Sequence, residues 1–309
     1  MNEFRRYERL MGSDFEFIIV SDHDDGLLDE CVKEVKRLET LLTEFSETSF
    51  TARINKASGK EAVAVDPEVF ALLQRCKELS KLTQGAFDIT SGSLKKLYNF
   101  KGQTFNWPDD HTIAEKIKCV GFDKIDLSEP GKVFLNTGRM HIGFGAIGKG
   151  YAADCVKKIL LSKGVTNGVV NASGDLTAWG KRIDGSPWKI GIADPDNAKN
   201  IMSWLPVENG SVATSGDYEQ FVMRNGIRYA HNIDPKTGRP VRGIKSVTIM
   251  SPSAELCDAL ATAVFVMGVE VGIHFINQLP GVHGLIIDDK NQVFTSNHIR
   301  INRYEEAVA

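Results

Sequence analysis

Residues 143–150 of this chain read Gly-Phe-Gly-Ala-Ile-Gly-Lys-Gly, after an apolar stretch and at the start of an amphipathic pattern from Lys149 to about Ser162 that stops at Gly164. A glycine-rich turn at a helix start presents backbone N–H groups and the positive end of the helix dipole, a ready site for phosphate. The segment therefore points to a nucleotide or a phosphorylated cofactor. Gly143, Gly145 and Gly148 fit the dinucleotide pattern G-x-G-x-x-G. Gly143, Gly148 and Lys149 fit the P-loop pattern up to its last position, where Gly150 replaces the hydroxyl residue that holds magnesium. For the ribose-binding acid expected about 20 residues on, Asp154 stands too near and Asp175 too late. Helix entry without a ligand is the third reading of the same residues.

A second chemical cluster lies in Ala254–Met267, where Asp258 and Thr262 are spaced i, i+4 on one helix face among apolar residues. A carboxylate buried in such company is costly unless paired or bound to a metal. Carboxylate, hydroxyl and carbonyl oxygens suit magnesium or calcium. The alternative places Asp258 in solvent or in a salt bridge. A third cluster is His231-Asn-Ile-Asp-Pro-Lys-Thr-Gly-Arg-Pro240, a strand running into a tight turn. His231 at the strand's end is placed for general-base work, or it is an ordinary structural histidine. Thr214-Ser-Gly-Asp-Tyr218 and Gly85-Ala-Phe-Asp-Ile-Thr90 read as polar turns able to shape a pocket.

These residues need elements to hold them. Helical periodicity covers Asp24 to Phe45 and a helix that begins at Pro67 behind Asp66 as N-cap and ends before Gly85. Further helices are read at Lys149–Ser162, at Ala254–Met267 behind Ser253 and near Val271–Asn277. Strands are read at Asp14–Val20, Val133–Ile142, Gly168–Asn171, Trp188–Ala193, Ser211–Thr214, Arg228–Ile233, Lys245–Ser251, Leu285–Asp288 and Gln292–Thr295, with a surface loop over 101–112. Antiparallel-looking strand runs with separate helices indicate an α+β fold, not a doubly wound sheet. No linker divides the chain.

The 309 residues suffice for one large or two modest domains, and a net charge of −3 argues against binding nucleic acid or an anionic membrane surface. Cys31, Cys76, Cys119, Cys155 and Cys257 form no C-x-x-C pair and read as thiols of a reducing compartment. With no signal-like or membrane-length apolar run, the chain reads as soluble and cytoplasmic.

Taken in order, Met11-Gly-Ser13, Gly85-Ala-Phe-Asp-Ile-Thr90, Gly145-Ala-Ile-Gly-Lys-Gly-Tyr-Ala-Ala-Asp154, Asn171-Ala-Ser-Gly-Asp175, Thr214-Ser-Gly-Asp-Tyr218, His231 to Pro240 and Asp258-Ala-Leu-Ala-Thr262 resemble the ApbE family of FAD:protein FMN transferases. The resemblance runs from about Met11 to Val293. It implies a T-fold-related α+β unit of mixed, largely antiparallel sheets with packed helices. That unit would span 1–309, undivided or as two closely packed subdomains with the active site between them. It implies FAD as substrate, magnesium as cofactor, and transfer of FMN to a Thr or Ser hydroxyl of an acceptor protein with release of AMP. Acceptors would carry a short motif in which Asp is followed after a few residues by Thr or Ser next to Gly-Ala-Thr/Ser. The metal ligands would be Asp258, Thr262 and the backbone oxygens of Ala146 and Ala261. Lys149 would neutralise phosphate and His231 would take the proton of the attacking hydroxyl. Met11, Phe45, Ala86, Phe87, Asp88, Lys149 and Ile233 would contact FAD. Phe45 stands where the family usually has tyrosine, Gly148 where it has alanine and Ser173 where a glycine is common. Gly143 replaces a family aspartate six residues before the lysine, so one polar contact to FAD is missing or replaced. Hydrolysis of FAD to FMN and AMP, or FAD carriage without turnover, would use the same residues. An NAD-dependent oxidoreductase, suggested by the glycine pattern alone, would require a parallel sheet.

Overall fold

A computed structural model describes residues 1–24, 26–98, 100, 105, 107–216, 221–297, 299 and 302–303. Its centre is an eight-stranded sheet whose strands lie side by side in chain order. They are β1 (Asn2–Leu10), β2 (Ser13–Ser21), β3 (Asn167–Ala172), β4 (Asp175–Trp179), β5 (Asn209–Gly216), β6 (Ile244–Ser251), β7 (His283–Asp288) and β8 (Val293–Thr295). Every strand pair among the described residues is antiparallel. The parallel sheet required by a nicotinamide-type dinucleotide site is therefore absent from the described residues.

Both faces of the sheet are covered. Alternation along β2 sends Phe15, Phe17 and Ile19 to one face and Ile18 and Val20 to the other. The first set packs under helices α1 (Leu27–Leu42), α2 (Pro67–Leu82) and α3 (Gly148–Ser162). The second meets Trp188, Ile190, Ile192 and Leu205 of a small outer sheet built on Trp188–Asp194 and Asn197–Val207. Helix α4 (Ala254–Met267) lies over β5 and β6 and centres a further apolar cluster with Leu260, Val264 and Phe265. No helix among the described residues is long and apolar enough to cross a membrane.

Several local readings hold in detail. Asp66 caps α2 by accepting the Glu68 N–H, and Ser253 caps α4 by accepting the Leu256 N–H. Others need correction. The strand expected over 133–142 is Lys132–Leu135 only, and the chain then turns into a loop that carries Ile142 and Gly143 to the site. Within the expected 101–112 loop, positions 101–104 and 106 lie outside the described residues. Asp110 already opens a helix, Asp110–Ile117, capped by Asp109. Thr214 and Ser215 belong to β5 rather than to a turn after it, while Asp217 and Tyr218 lie outside the described residues.

Helix α3 crosses α4 at very close range. A β-carbon on Gly150 would stand 2.1 Å from the Ala254 carbonyl oxygen and 2.9 Å from the Asp258 β-carbon. Gly150 is needed here for space, not for a special backbone angle. In an unconstrained helix, glycine to alanine adds about 1 kcal/mol of stability. Here the backbone clash reverses the sign, and Gly150→Ala is expected to lose about 2 kcal/mol or more. Thermal melts should show this loss, with exposed Gly138→Ala, where nothing lies within 4 Å of the new methyl, as the unaffected control.

Candidate active site

The α3–α4 crossing is also where the chemically competent residues converge. Gly150, in the first turn of α3, donates its N–H to Oδ2 of Asp258, 3.0 Å away. One turn on, Asp154 holds the start of α4. Its Oδ1 accepts the Ala254 N–H, and its Oδ2 accepts the Ser253 hydroxyl and the Glu255 N–H. A carboxylate on the exposed N–H groups of a helix start is favourable both as a cap and against the helix dipole. Asp154, too near to serve a ribose, is thus the residue that fixes α4 and its Asp258.

Asp175 arrives from the sheet. Ser173 and Gly174 form a two-residue hairpin loop, both at positive φ (56° and 98°), and pair Ala172 with Asp175. The left-handed angle at Ser173 gives a physical reason for the glycine common there. Antiparallel pairing of β4 with β5 then sets Asp175 near the end of β5 that carries Thr214 and Ser215. Lys149 lies 2.5 Å from the buried Asp175 carboxylate, and the Ser215 hydroxyl lies 3.3 Å from that of Thr262.

Asp258 is buried, and burial first, then the negative charge of Asp175, push its carboxyl well above the usual carboxylate range. Lys149 and the Gly150 N–H oppose them. Two neighbouring carboxylates with hydroxyl and backbone oxygens nearby form a hard-oxygen donor set of the kind that could hold a divalent cation. A separate group, Glu34, Glu68 and Cys155, brings possible ligand atoms together, but the Arg37 guanidinium is bonded to both glutamates and satisfies them. It is an ion-pair cluster.

A cleft of about 370 Å³ joins these groups to the rest. Asp258, Thr262, Lys149, Asp175 and Ala146 line it. Ala86, Phe87, Asp88, Gly143, His231 and Ile233 also line it, as do Ser13 and Glu44. His231 directly follows the hairpin Phe221–Arg224/Ile227–Ala230, in the segment where Ile233 bridges to Pro240. The turn beyond is held by Asp234, whose carboxylate accepts the Lys236 N–H and the Thr237 hydroxyl. Asp88 lines the cleft with its carboxylate engaged. One oxygen accepts from the Thr90 N–H and hydroxyl, the other from the Phe122 N–H, while burial raises its pKa. It therefore braces the loop that presents Ala86 and Phe87.

Three expected site residues fall outside the lining. Met11 packs on the core, its methyl 3.6 Å from where a Gly148 β-carbon would be. Ala261 is buried within α4 beside Thr262. Phe45, just past α1, is 89% exposed next to cleft-lining Glu44.

A model described as the ApbE family matches residues 11–286. The chain belongs to the ApbE family. The FAD:protein FMN transferase of Treponema pallidum is 30% identical, over 96% of this chain and 87% of its own. The Klebsiella pneumoniae protein of the same name is 30% identical over 94% and 91%. A crystal structure of the ApbE protein of Thermotoga maritima superposes with a TM-score of 0.87 at 31% identity, covering 96% of this chain and 97% of that one. The apo form of the Pseudomonas stutzeri flavinyl transferase ApbE gives 0.86 at 26% identity, over 96% and 95%. These ApbE structures share the antiparallel α+β architecture found here.

The environment of Asp258 has a measurable consequence. Between the ordinary carboxylate pKa and its raised folded value, the native chain keeps a proton that the unfolded chain has lost. Stability therefore falls as pH rises across that window. Asp258→Asn, which can still accept the Gly150 N–H, removes this loss. In EDTA near neutral pH the variant should be more stable than the parent, on the order of 1–3 kcal/mol. Magnesium should raise the melting temperature of the parent and leave that of Asp258→Asn unchanged.

Proposed function

We propose that this protein transfers the FMN part of FAD to a Thr or Ser hydroxyl of an acceptor protein, in a magnesium-dependent reaction that forms a phosphoester and releases AMP. The observation that carries this reading is the meeting, in one cleft, of buried Asp258 and Asp175 with Lys149, Thr262 and His231. Asp258 and Thr262, with backbone oxygens of Ala146 and Ala261, are assigned to hold magnesium, which when bound draws charge from the pyrophosphate as a Lewis acid.

The chain's own residues do the rest. Lys149, at the start of α3, places a cation beside the phosphates, and Asp175 keeps its ammonium aimed into the cleft. His231 accepts the proton of the acceptor hydroxyl as that oxygen bonds to the FMN-side phosphorus. The bond from that phosphorus to the bridging oxygen breaks, and AMP departs with the bridging oxygen. Ala86, Phe87 and Ile233 give the flavin an apolar wall. Asp88 braces this wall, and Met11 is assigned to flavin contact although it packs on the core beside Gly148. Phe45 is assigned to stack on the isoalloxazine, and an aromatic ring left at 89% exposure is one a planar ligand would cover. The partner is an acceptor protein bearing the flavinylation motif. All five cysteines are free thiols, which supports a cytoplasmic setting.

The test is incubation with FAD, magnesium and a motif-bearing acceptor, followed by intact mass. An FMN-sized gain is expected. Asp258→Ala should abolish it, and His231→Ala should slow it by about 10²- to 10⁴-fold. Free FMN and AMP with no gain on the acceptor would identify a pyrophosphatase, and intact bound FAD would identify a carrier.

A further inference from the structure

Glu44 lies in the loop after α1 and lines the cleft beside Gly143. Its Oε2 is 2.5 Å from His141 Nε2 and 3.1 Å from Lys96 Nζ. Its Oε1 points the other way, 3.4 Å from where a β-carbon of Gly143 would stand. The carboxylate is three-quarters buried, with 26% of its side chain exposed. The hydrogen bond from His141, with Lys96 behind it, holds its carboxyl below the usual carboxylate range against the opposing effect of burial.

The backbone opposite Glu44 is fixed. Asn55, on the short helix Phe50–Lys56, accepts the Ile142 N–H and donates to the Ile142 carbonyl. Gly143 then donates to the Ile89 carbonyl. Gly143 does not have a positive φ, so no backbone angle calls for glycine there. A β-carbon at 143 would stand in ordinary contact with Glu44 Oε1, 3.4 Å away, so the carboxylate lies directly against Gly143. With His141 and Lys96 on one oxygen and Gly143 facing the other, the carboxylate is held at the cleft wall.

We propose that Glu44 is a substrate-binding residue, whose Oε1 accepts a hydrogen bond from a hydroxyl or N–H donor of FAD and supplies the polar contact that Gly143 cannot. This rests on the FAD-dependent function proposed above. A carboxylate repels phosphate, so the donor belongs to a neutral part of FAD, and the pyrophosphate lies toward Lys149 instead. A hydrogen bond to an ionised, pre-aimed acceptor is among the stronger contacts a cleft offers.

FAD affinity measured by flavin fluorescence, with magnesium chelated so that FAD stays whole, tests the assignment. Glu44→Gln should bind FAD about ten-fold more weakly. Gly143→Asp should also weaken binding, since two carboxylates then share one space. The double variant Glu44→Thr/Gly143→Asp should recover most of the affinity lost in Glu44→Thr, a rescue that a merely structural Glu44 would not permit. Parent-like affinity in Glu44→Gln, or losses that simply add in the double variant, would overturn the inference and leave the functional reading standing. A parent chain that binds no FAD would overturn both.

Discussion

The backbone-to-backbone crossing of α3 and α4 at Gly150 sets the geometry on which the site depends. With no side chain at Gly150, the two helices approach until a peptide N–H of one meets a carboxylate of the other. Asp154, one turn along α3, locks the start of α4 at the same contact. The glycine loop that precedes α3 and the Asp258–Thr262 face of α4 are thereby fixed relative to each other. The glycine-rich segment is thus only partly a ligand cradle. Gly145 and Gly143 border the cleft, whereas Gly150 serves helix packing.

The same contact buries charge. Burial and the nearby Asp175 charge raise the cost of ionising Asp258, and Lys149 offsets this only in part. A pair of carboxyls that folding alone would exclude is expected where a ligand completes the charge balance. The arrangement is destabilising for the isolated chain, a local conflict of the kind that marks a functional site.

Much of this was legible in the residues. The α2 and α4 starts follow from Asp66-Pro67 and Ser253, and the apolar helix around Asp258 already signalled an unusual carboxylate. The resemblance of the ordered motifs implied one site for Lys149, His231, Asp258 and Thr262, and all four line one cleft. What stayed hidden was tertiary. Strand β1, Asn-Glu-Phe-Arg-Arg-Tyr-Glu-Arg-Leu, carries too many charges to show alternation, because it is an edge strand whose arginines pair outward with Glu16, Asp14 and Asp29. The 133–142 run was apolar enough to pass for a strand, yet Met140 and Ile142 are buried by the core rather than by a ladder. Glu44 gave no signal, since its setting is made by residues about fifty and a hundred positions away, Lys96 and His141.

The strands of the main sheet lie side by side in chain order, but the interval between β2 and β3 is long, from Ser21 to Asn167. During synthesis, β2 leaves the ribosome with the alternating apolar run Phe15–Val20 and no partner beyond β1 until that whole interval has followed. Such a nascent hairpin exposes apolar side chains and unpaired strand edges, the features that make a folding intermediate prone to misassembly.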